Sequence, residues 1–327
     1  MRKGLFVKSL AFGILVLTTV CTAFLTIVHA GSAPLTDSST VPTMVGTTWK
    51  VDDDGGGNFL TINAAIAAAS NWDIIEVYSG TYNENVIVQK NLTFIGIDHD
   101  LGSGGDIGKP VVQSPIYDCF QVWVGDVTIQ GFNITGGRAG IYVLGYMNHR
   151  ILNNTITNNE VGVWLNYTNT NELRNNTISQ NTQYGIYLYP SSSNTIEDNW
   201  IENNVLMGIW IVEGSQNHIV NNFFNNINNA QDDGLSNVWS GNPVFGTNIN
   251  GGYFLGGNWW SDFPFWKPAG PYDPHGMGVV VFPWHAYHIP GTAGSIDHHP
   301  LPGFEVLAFI AAFAVVLMVL RKRKRGP

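Results

Sequence analysis

The sequence predicts an all-β fold: a right-handed parallel β-helix of about 22–23 residues per coil. It also predicts an N-terminal capping helix, a C-terminal loop-rich cap and hydrophobic helices at both termini. Three observations lead there. First, five segments repeat: Ile129–Ile134, Ile151–Ile156, Leu173–Ile178, Ile196–Ile201 and Ile219–Phe224, with starts 22, 22, 23 and 23 residues apart. Second, Gly140-Ile-Tyr-Val143, Gly162-Val-Trp-Leu165, Gly185-Ile-Tyr-Leu188 and Gly208-Ile-Trp-Ile211 recur with the same spacing. Third, only 12% of residues are charged, where ordinary domains run near about 25%, and Asn and Gly abound. A period this short excludes helical repeats, and the pattern of leucine-rich repeats is absent. One coil cannot bury its inward Ile, Leu and Val alone, so coils must stack, with strands pairing in parallel.

Five segments are expected along the chain. Residues 1–30 read as a secretory leader: Arg2, Lys3 and Lys8 precede the apolar run Leu10–Val28, and Val28-His29-Ala30 offers a cleavage site. An uncleaved anchor is the alternative. Residues 31–46, rich in Ser, Thr and Pro, form a flexible spacer. Residues 47–230 form the β-helix. Within them the Ala-rich Thr61–Ser70 supplies a short amphipathic helix over the open first coil, because solenoid ends need capping. Residues 231–301 close the solenoid. Residues 302–327 hold the apolar stretch Val306–Leu320 followed by Arg-Lys-Arg-Lys-Arg. That order suits a membrane helix with a cytoplasmic basic tail, which leaves the body outside.

Charge excludes one class of partner. Between Gly31 and Pro300 there are 23 Asp and Glu against 7 Lys and Arg, a net of −16. Nucleic acid binding needs a basic face, so no nucleic acid partner is expected. Of the two cysteines, Cys21 falls in the leader and Cys119 stands alone. Packing must therefore stabilise the body without an internal disulfide.

Identical coil positions stack into ladders. Asn154, Asn176, Asn199 and Asn222 share one position, and Asn159, Asn181 and Asn204 another. Their expected role is structural. A turn Asn tolerates left-handed angles, and its amide can bond its counterpart one coil away. In the Gly-x-aromatic strands, Ile141, Val163, Ile186 and Ile209 should point inward and Tyr142, Trp164, Tyr187 and Trp210 outward, since side chains alternate. Four rings then stand in a row, one per coil, about 5 Å apart. Rings with an apolar face and a polar tip suit stacking on sugars. The row therefore suggests binding of a polysaccharide or surface glycan. Contact with an S-layer or other envelope protein, and simple self-stacking for stability, are the competing readings.

The tail, Pro302-Gly303-Phe304 then an apolar span then basic residues, resembles the PGF-type sorting signal of archaeal surface proteins. Thr61–Gly96, through Asp73-Ile-Ile-Glu-Val77 and Gly80-Thr-Tyr-Asn-Glu-Asn-Val86, resembles the opening of pectin-esterase-like and NosD-like β-helix proteins. The coils from Gly131 to Asn229 resemble NosD and carbohydrate-binding/sugar-hydrolase repeats. Asn229–Gly234, Gly246–Gly252, Gly256-Gly-Asn-Trp-Trp-Ser-Asp262 and Asp297-His-His-Pro-Leu301 resemble the closing segment of NosD-like surface proteins. The resemblance implies the fold, but one fold hosts many functions.

The chemistry of these relatives is hard to find in the residues. No Asp-Phe-Ile-Phe-Gly-like strand or Gly-Arg-Pro marks an esterase. Asp232-Asp233 lacks the His-Gly and Arg-x-Lys of a polygalacturonase, and His275-Gly276 comes only later. Glu160, Glu172, Glu197, Asp198, Glu202 and Glu213 are expected mostly in turns, without the paired carboxylates a glycosidase needs. The expectation is thus a non-catalytic surface β-helix. The alternatives are a polysaccharide-active lyase, hydrolase or esterase, a structural envelope protein, and a copper-handling NosD-like protein. No resident cofactor is expected, with two candidates noted. His275, His285, His288, His298 and His299 offer donors for copper or zinc. Asp52-Asp53-Asp54 offers oxygens for calcium, although a solvated turn is the plainer reading. Asn91, Asn133, Asn153, Asn166 and Asn175 sit in Asn-x-Thr sequons.

Overall fold

The computed structural model describes residues 46–239, 244–245, 248–249, 254–255, 257–261, 285–288 and 296–299. The leader, the spacer, the tail and most of the closing segment lie outside these residues. Among the described residues no helix is long and apolar enough to cross a membrane.

The repeat folds as a parallel β-solenoid of three sheets. The first sheet joins eight strands in order, Thr48–Val51, Ile74–Val77, Thr93–Gly96, Thr128–Gln130, Arg150–Leu152, Glu172–Arg174, Thr195–Glu197 and His218–Val220. The second carries Thr155–Thr157, Thr177–Ser179 and Trp200–Glu202 among its eight strands, and the third carries Ala139–Leu144, Val161–Asn166, Tyr184–Tyr189 and Met207–Ile211 among its seven. Neighbouring coils pair residue for residue, as in Ile151↔Leu173↔Ile196↔Ile219. The inward column of each sheet is therefore Ile, Leu or Val, and Ile156, Ile178, Val163, Ile186 and Ile209 are fully buried. Fully burying one such side chain stabilises by about 1.5–3 kcal/mol, and the stack repeats that gain coil after coil.

Both ends of this core are closed. At the start, the helix Ile62–Ala68 turns Ile62, Ala65 and Ile66 inward. Its first free N–H groups are satisfied by Glu84, whose carboxylate accepts from Ile62 N at 2.7 Å and Asn63 N at 2.9 Å. Its last carbonyls are satisfied by Lys90 Nζ, which donates to Ile66, Ala67 and Ala69. The charges at both ends oppose the helix dipole. At the far end, Trp259–Trp260 pairs in parallel with Phe223–Phe224 and becomes the last rung of the second sheet. Trp260 stacks on Phe224 inside the core at 4.5 Å, and Trp259 stacks on Phe223 outside at 4.2 Å. The solenoid thus runs past residue 230, and Trp259–Trp260 adds a last, short rung to it.

Six corners of the repeat use the same two-residue device. A buried Asn is preceded by a residue with positive φ: Asn153 before Asn154, Asn158 before Asn159, Asn175 before Asn176, Gln180 before Asn181, Asp198 before Asn199, Asn203 before Asn204. This corrects one expectation. Asn154, Asn159, Asn176, Asn181, Asn199, Asn204 and Asn222 do not themselves take left-handed angles; the residue before each of them does, which frees the buried amide to bond.

Candidate functional site

The ladders set the frame on which any working face is displayed. Asn154 N–H donates to Asn176 Oδ1, Asn176 N–H to Asn199 Oδ1, Asn199 N–H to Asn222 Oδ1 and Asn222 N–H to Asn258 Oδ1, all at 2.9–3.0 Å. The second ladder runs Asn159, Asn181, Asn204, Asn226 and ends on Asn229. A third, missed in the sequence reading, runs Asn171, Asn194, Asn217, Asn237 at the remaining corner. Its signal was available: each of its first three Asn lies two residues before the inward Leu173, Ile196 or Ile219. His149 occupies the next position of that ladder. Its N–H donates to Asn171 Oδ1, and its Nδ1 accepts from Val127 N at 3.4 Å. Its Nε2 is buried without a partner among the described residues, and burial pulls the imidazole down to about 4.

The third sheet presents the aromatic row. Tyr142, Trp164, Tyr187 and Trp210 pair in register on successive strands. All four are half-buried and face out, while Ile141, Val163, Ile186 and Ile209 face in. Ring centroids follow one another at 5.1, 5.6 and 5.3 Å. Tyr184 widens the strip beside Tyr187 and Trp210, each at 5.2 Å. Tyr189, stacked on Tyr187 at 6.2 Å and against Tyr167 at 5.7 Å, widens it on the other flank. Burial pushes the Tyr187 hydroxyl above its ordinary range, and the charge of Tyr167 raises that of Tyr189. Both stay neutral hydrogen-bonding tips at physiological pH.

Polar groups bracket the row. At its head the Arg138 guanidinium lies 5.5 Å from the Tyr142 ring and 5.6 Å from that of Trp164. It is held there by two bonds to the fully buried Asp118, at 2.9 and 2.7 Å. At its foot Trp210 Nε1 donates to Asp233 Oδ2 at 2.9 Å, and Gln231 Nε2 donates to the same oxygen. In the middle Asn166 Nδ2 donates to the Tyr142 hydroxyl. Trp164 Nε1 and Asn166 Oδ1 are covered yet have no hydrogen-bond partner among the described residues.

The carboxylates fall elsewhere. Glu172, Glu197 and Glu202 stand on strands, not in turns as expected. Two of them are tied up: Arg150 pairs with Glu172 at 2.9 Å, and Arg174 pairs with both Glu172 and Glu197 across the first sheet. Charges alternate along and across strands there because like charges directly opposed would repel.

Among the described residues one group of three ligating side chains comes together, Asp52, Asp54 and Asp100. The Asp54 carboxyl is pushed up to about 6, first by its hydrogen bond with Asp52, then by burial and the Asp100 charge. Three carboxylates suit a hard cation, not copper. Of the sequence's candidate copper donors, His275 lies outside the described residues. His285–His288 and Ile296–His299 form an antiparallel pair with His285 opposite His299 and Ala286 opposite His298.

Comparison with known proteins accords with this architecture. The family described as periplasmic copper-binding protein (NosD) matches residues 57–264. A cell surface glycoprotein of Methanothermus fervidus is 37% identical over 108 residues, which is 32% of this chain and 17% of that protein. This chain therefore aligns with only a minor part of that relative's length. Two solved structures of the pectin methylesterase from Aspergillus niger are also similar. The deglycosylated form is 15% identical with a TM-score of 0.30, covering 62% of this chain and 72% of the other. The penultimately deglycosylated form is 16% identical with a TM-score of 0.31, covering 63% and 68%. With more than half of its length matched by the family and its coils built as a parallel solenoid, the chain belongs to the NosD family.

Proposed function

We propose that this NosD-family β-helix works at the cell surface as a non-catalytic binder of carbohydrate, through the aromatic row of its third sheet. The surface location is supported by the family's description as periplasmic and by the likeness to a cell surface glycoprotein of Methanothermus fervidus. The observation that carries the binding reading is the unbroken outward run Tyr142, Trp164, Tyr187, Trp210, flanked by Tyr184 and Tyr189. Its pitch follows the coil repeat of about 4.8 Å, close to that of sugar units in a chain, and stacked rings offer an apolar platform with polar rims. Self-stacking alone does not account for the two unpartnered polar atoms at its centre, Trp164 Nε1 and Asn166 Oδ1. Such atoms cost about 1–3 kcal/mol each. A sugar hydroxyl both donates and accepts, so one seated at the row could serve both atoms.

A glycan array probed with the wild-type chain and with Trp164→Ala/Trp210→Ala tests the proposal. The wild type should bind a defined set of glycans, and the variant should lose at least tenfold in affinity. Equal binding by the two removes the row from the function. Sugar release from the bound polysaccharide at high protein load would instead establish the enzyme reading.

A further inference from the structure

Five sequons occur in the chain, and the fold separates them into two kinds. In three, the acceptor amide already serves the structure. Asn91 Nδ2 donates to Gly125 O, Asn133 Nδ2 to Lys109 O, and Asn166 Nδ2 to the Tyr142 hydroxyl. None of these three is fully exposed. Asn153 and Asn175 differ in every respect. Both are exposed, both occupy the left-handed corner position at φ 55° and 56°, and neither side chain makes a hydrogen bond among the described residues. Their backbones are fixed instead: Asn153 N–H donates to Arg174 O and Asn175 N–H to Glu197 O. The sequon residues Thr155 and Thr177 stand in register on neighbouring strands of the second sheet, both half-buried.

We infer that Asn153 and Asn175 are the N-glycosylation sites of this chain and that Asn91, Asn133 and Asn166 remain bare. The corner demands only a residue that tolerates positive φ, and Asp198 and Asn221 fill the same position in the next coils without a sequon. Transfer needs a free amide nitrogen on an accessible turn with the Thr hydroxyl beside it, and only these two corners supply all three. The donor is an oligosaccharide carried on a lipid phosphate, acted on by a membrane transferase. The amide Nδ2 forms a bond to the anomeric carbon, and the bond from that carbon to the phosphate oxygen breaks. The phosphate leaves on the lipid with the electron pair, and the amide gives up one proton. The corner joins the first sheet to the second, so it is the corner remote from the third sheet. Glycans there would clothe one edge of the solenoid and leave the aromatic row open.

The inference rests on exposure of the chain outside the cell. It is tested in an archaeal host whose own envelope glycoprotein, recovered in the same preparation, carries N-glycans. Intact-mass and glycopeptide analysis of the full chain from the envelope fraction should place glycan at Asn153, Asn175 or both, and at no other sequon. Thr155→Ala with Thr177→Ala removes both sequons while leaving the corner Asn and the ladders in place, and occupancy should fall to zero. Glycan persisting in that variant, glycan at Asn91, Asn133 or Asn166, or a bare wild type beside a glycosylated host protein overturns the inference. Absence of the chain from the envelope fraction overturns the surface reading, and this inference with it.

Discussion

His149 stands where the other coils place an Asn, and it does the Asn's work with a titratable ring. Nδ1 takes the Val127 N–H as an Asn Oδ1 would, while Nε2 stays buried without a partner. Burial holds the imidazole at about 4 against an ordinary value of 6.5. The unfolded chain therefore binds the proton first as pH falls, and stability present above pH 6.5 is lost between 6.5 and 4. At about 1.4 kcal/mol per pKa unit the loss is about 3 kcal/mol. His149→Asn should extend the ladder and remove this component, which denaturant titrations at pH 7 and pH 4.5 will read. An unchanged pH dependence in that variant would place the titration elsewhere. Within the ladder proper, Asn176→Ala removes the acceptor of Asn154 N–H and the amide donor to Ile151 O and Asn199 Oδ1, the last of which keeps the backbone N–H of residue 176. A loss of about 3 kcal/mol or more is expected, since each buried group left unpaired costs about 1–3 kcal/mol. Asn158→Gly, at an exposed left-handed corner, should shift the same denaturation curve by only a few tenths of a kcal/mol.

At the scale of the element, the Gly at the second position of the four strands that carry the row explains how ladder and row coexist. A Cβ on Gly185 would sit 2.5 Å from Gly208 O and 2.7 Å from Asn204 Nδ2. The glycine lets the strand leave the corner tightly against the buried amide, and two residues later the outward ring emerges. Gly185→Ala should destabilise by about 1–3 kcal/mol through overpacking and misalign Tyr187 with Trp164 and Trp210. A midpoint shift by circular dichroism measures the first effect. Much of this element was legible in the sequence, because the period fixes which positions stack and alternation fixes which side faces out. What stayed hidden was what repetition alone does not encode. The third ladder went unseen because His149 interrupts the Asn pattern at its first visible rung. Glu172 and Glu197 were misplaced because short three-residue strands between Asn corners read as turns. The split between a left-handed residue and a buried Asn was blurred because doublets such as Asn153-Asn154 look interchangeable until backbone angles are known.

At the scale of the whole molecule, the three sheets differ in what their outer faces carry. The first sheet carries the Arg150, Glu172, Arg174 and Glu197 ion pairs, whose exposed members contribute little stability each. The second ends in the outer stack of Trp200, Phe223 and Trp259, behind which Trp260 lies on Phe224 in the core. The third is left with the aromatic face, which spans four rungs and therefore about 15 Å from first ring to last. Alternation was enough to place its four rings outward and in register. It was not enough for the groups that frame it, because Arg138, Asp118 and Asp233 lie on neighbouring turns and strand ends whose approach to the row depends on three-dimensional stacking.

That length sets the most direct test. Calorimetric titration with a homologous series of the oligosaccharide selected by the array, from one to six sugar units, measures affinity against chain length. Affinity should rise with each unit up to about four, the number of rungs, and then level off, with the rise abolished in Trp164→Ala/Trp210→Ala. A single sugar unit binding as tightly as the tetramer, or a series unaffected by the double substitution, would contradict a carbohydrate platform on the third sheet.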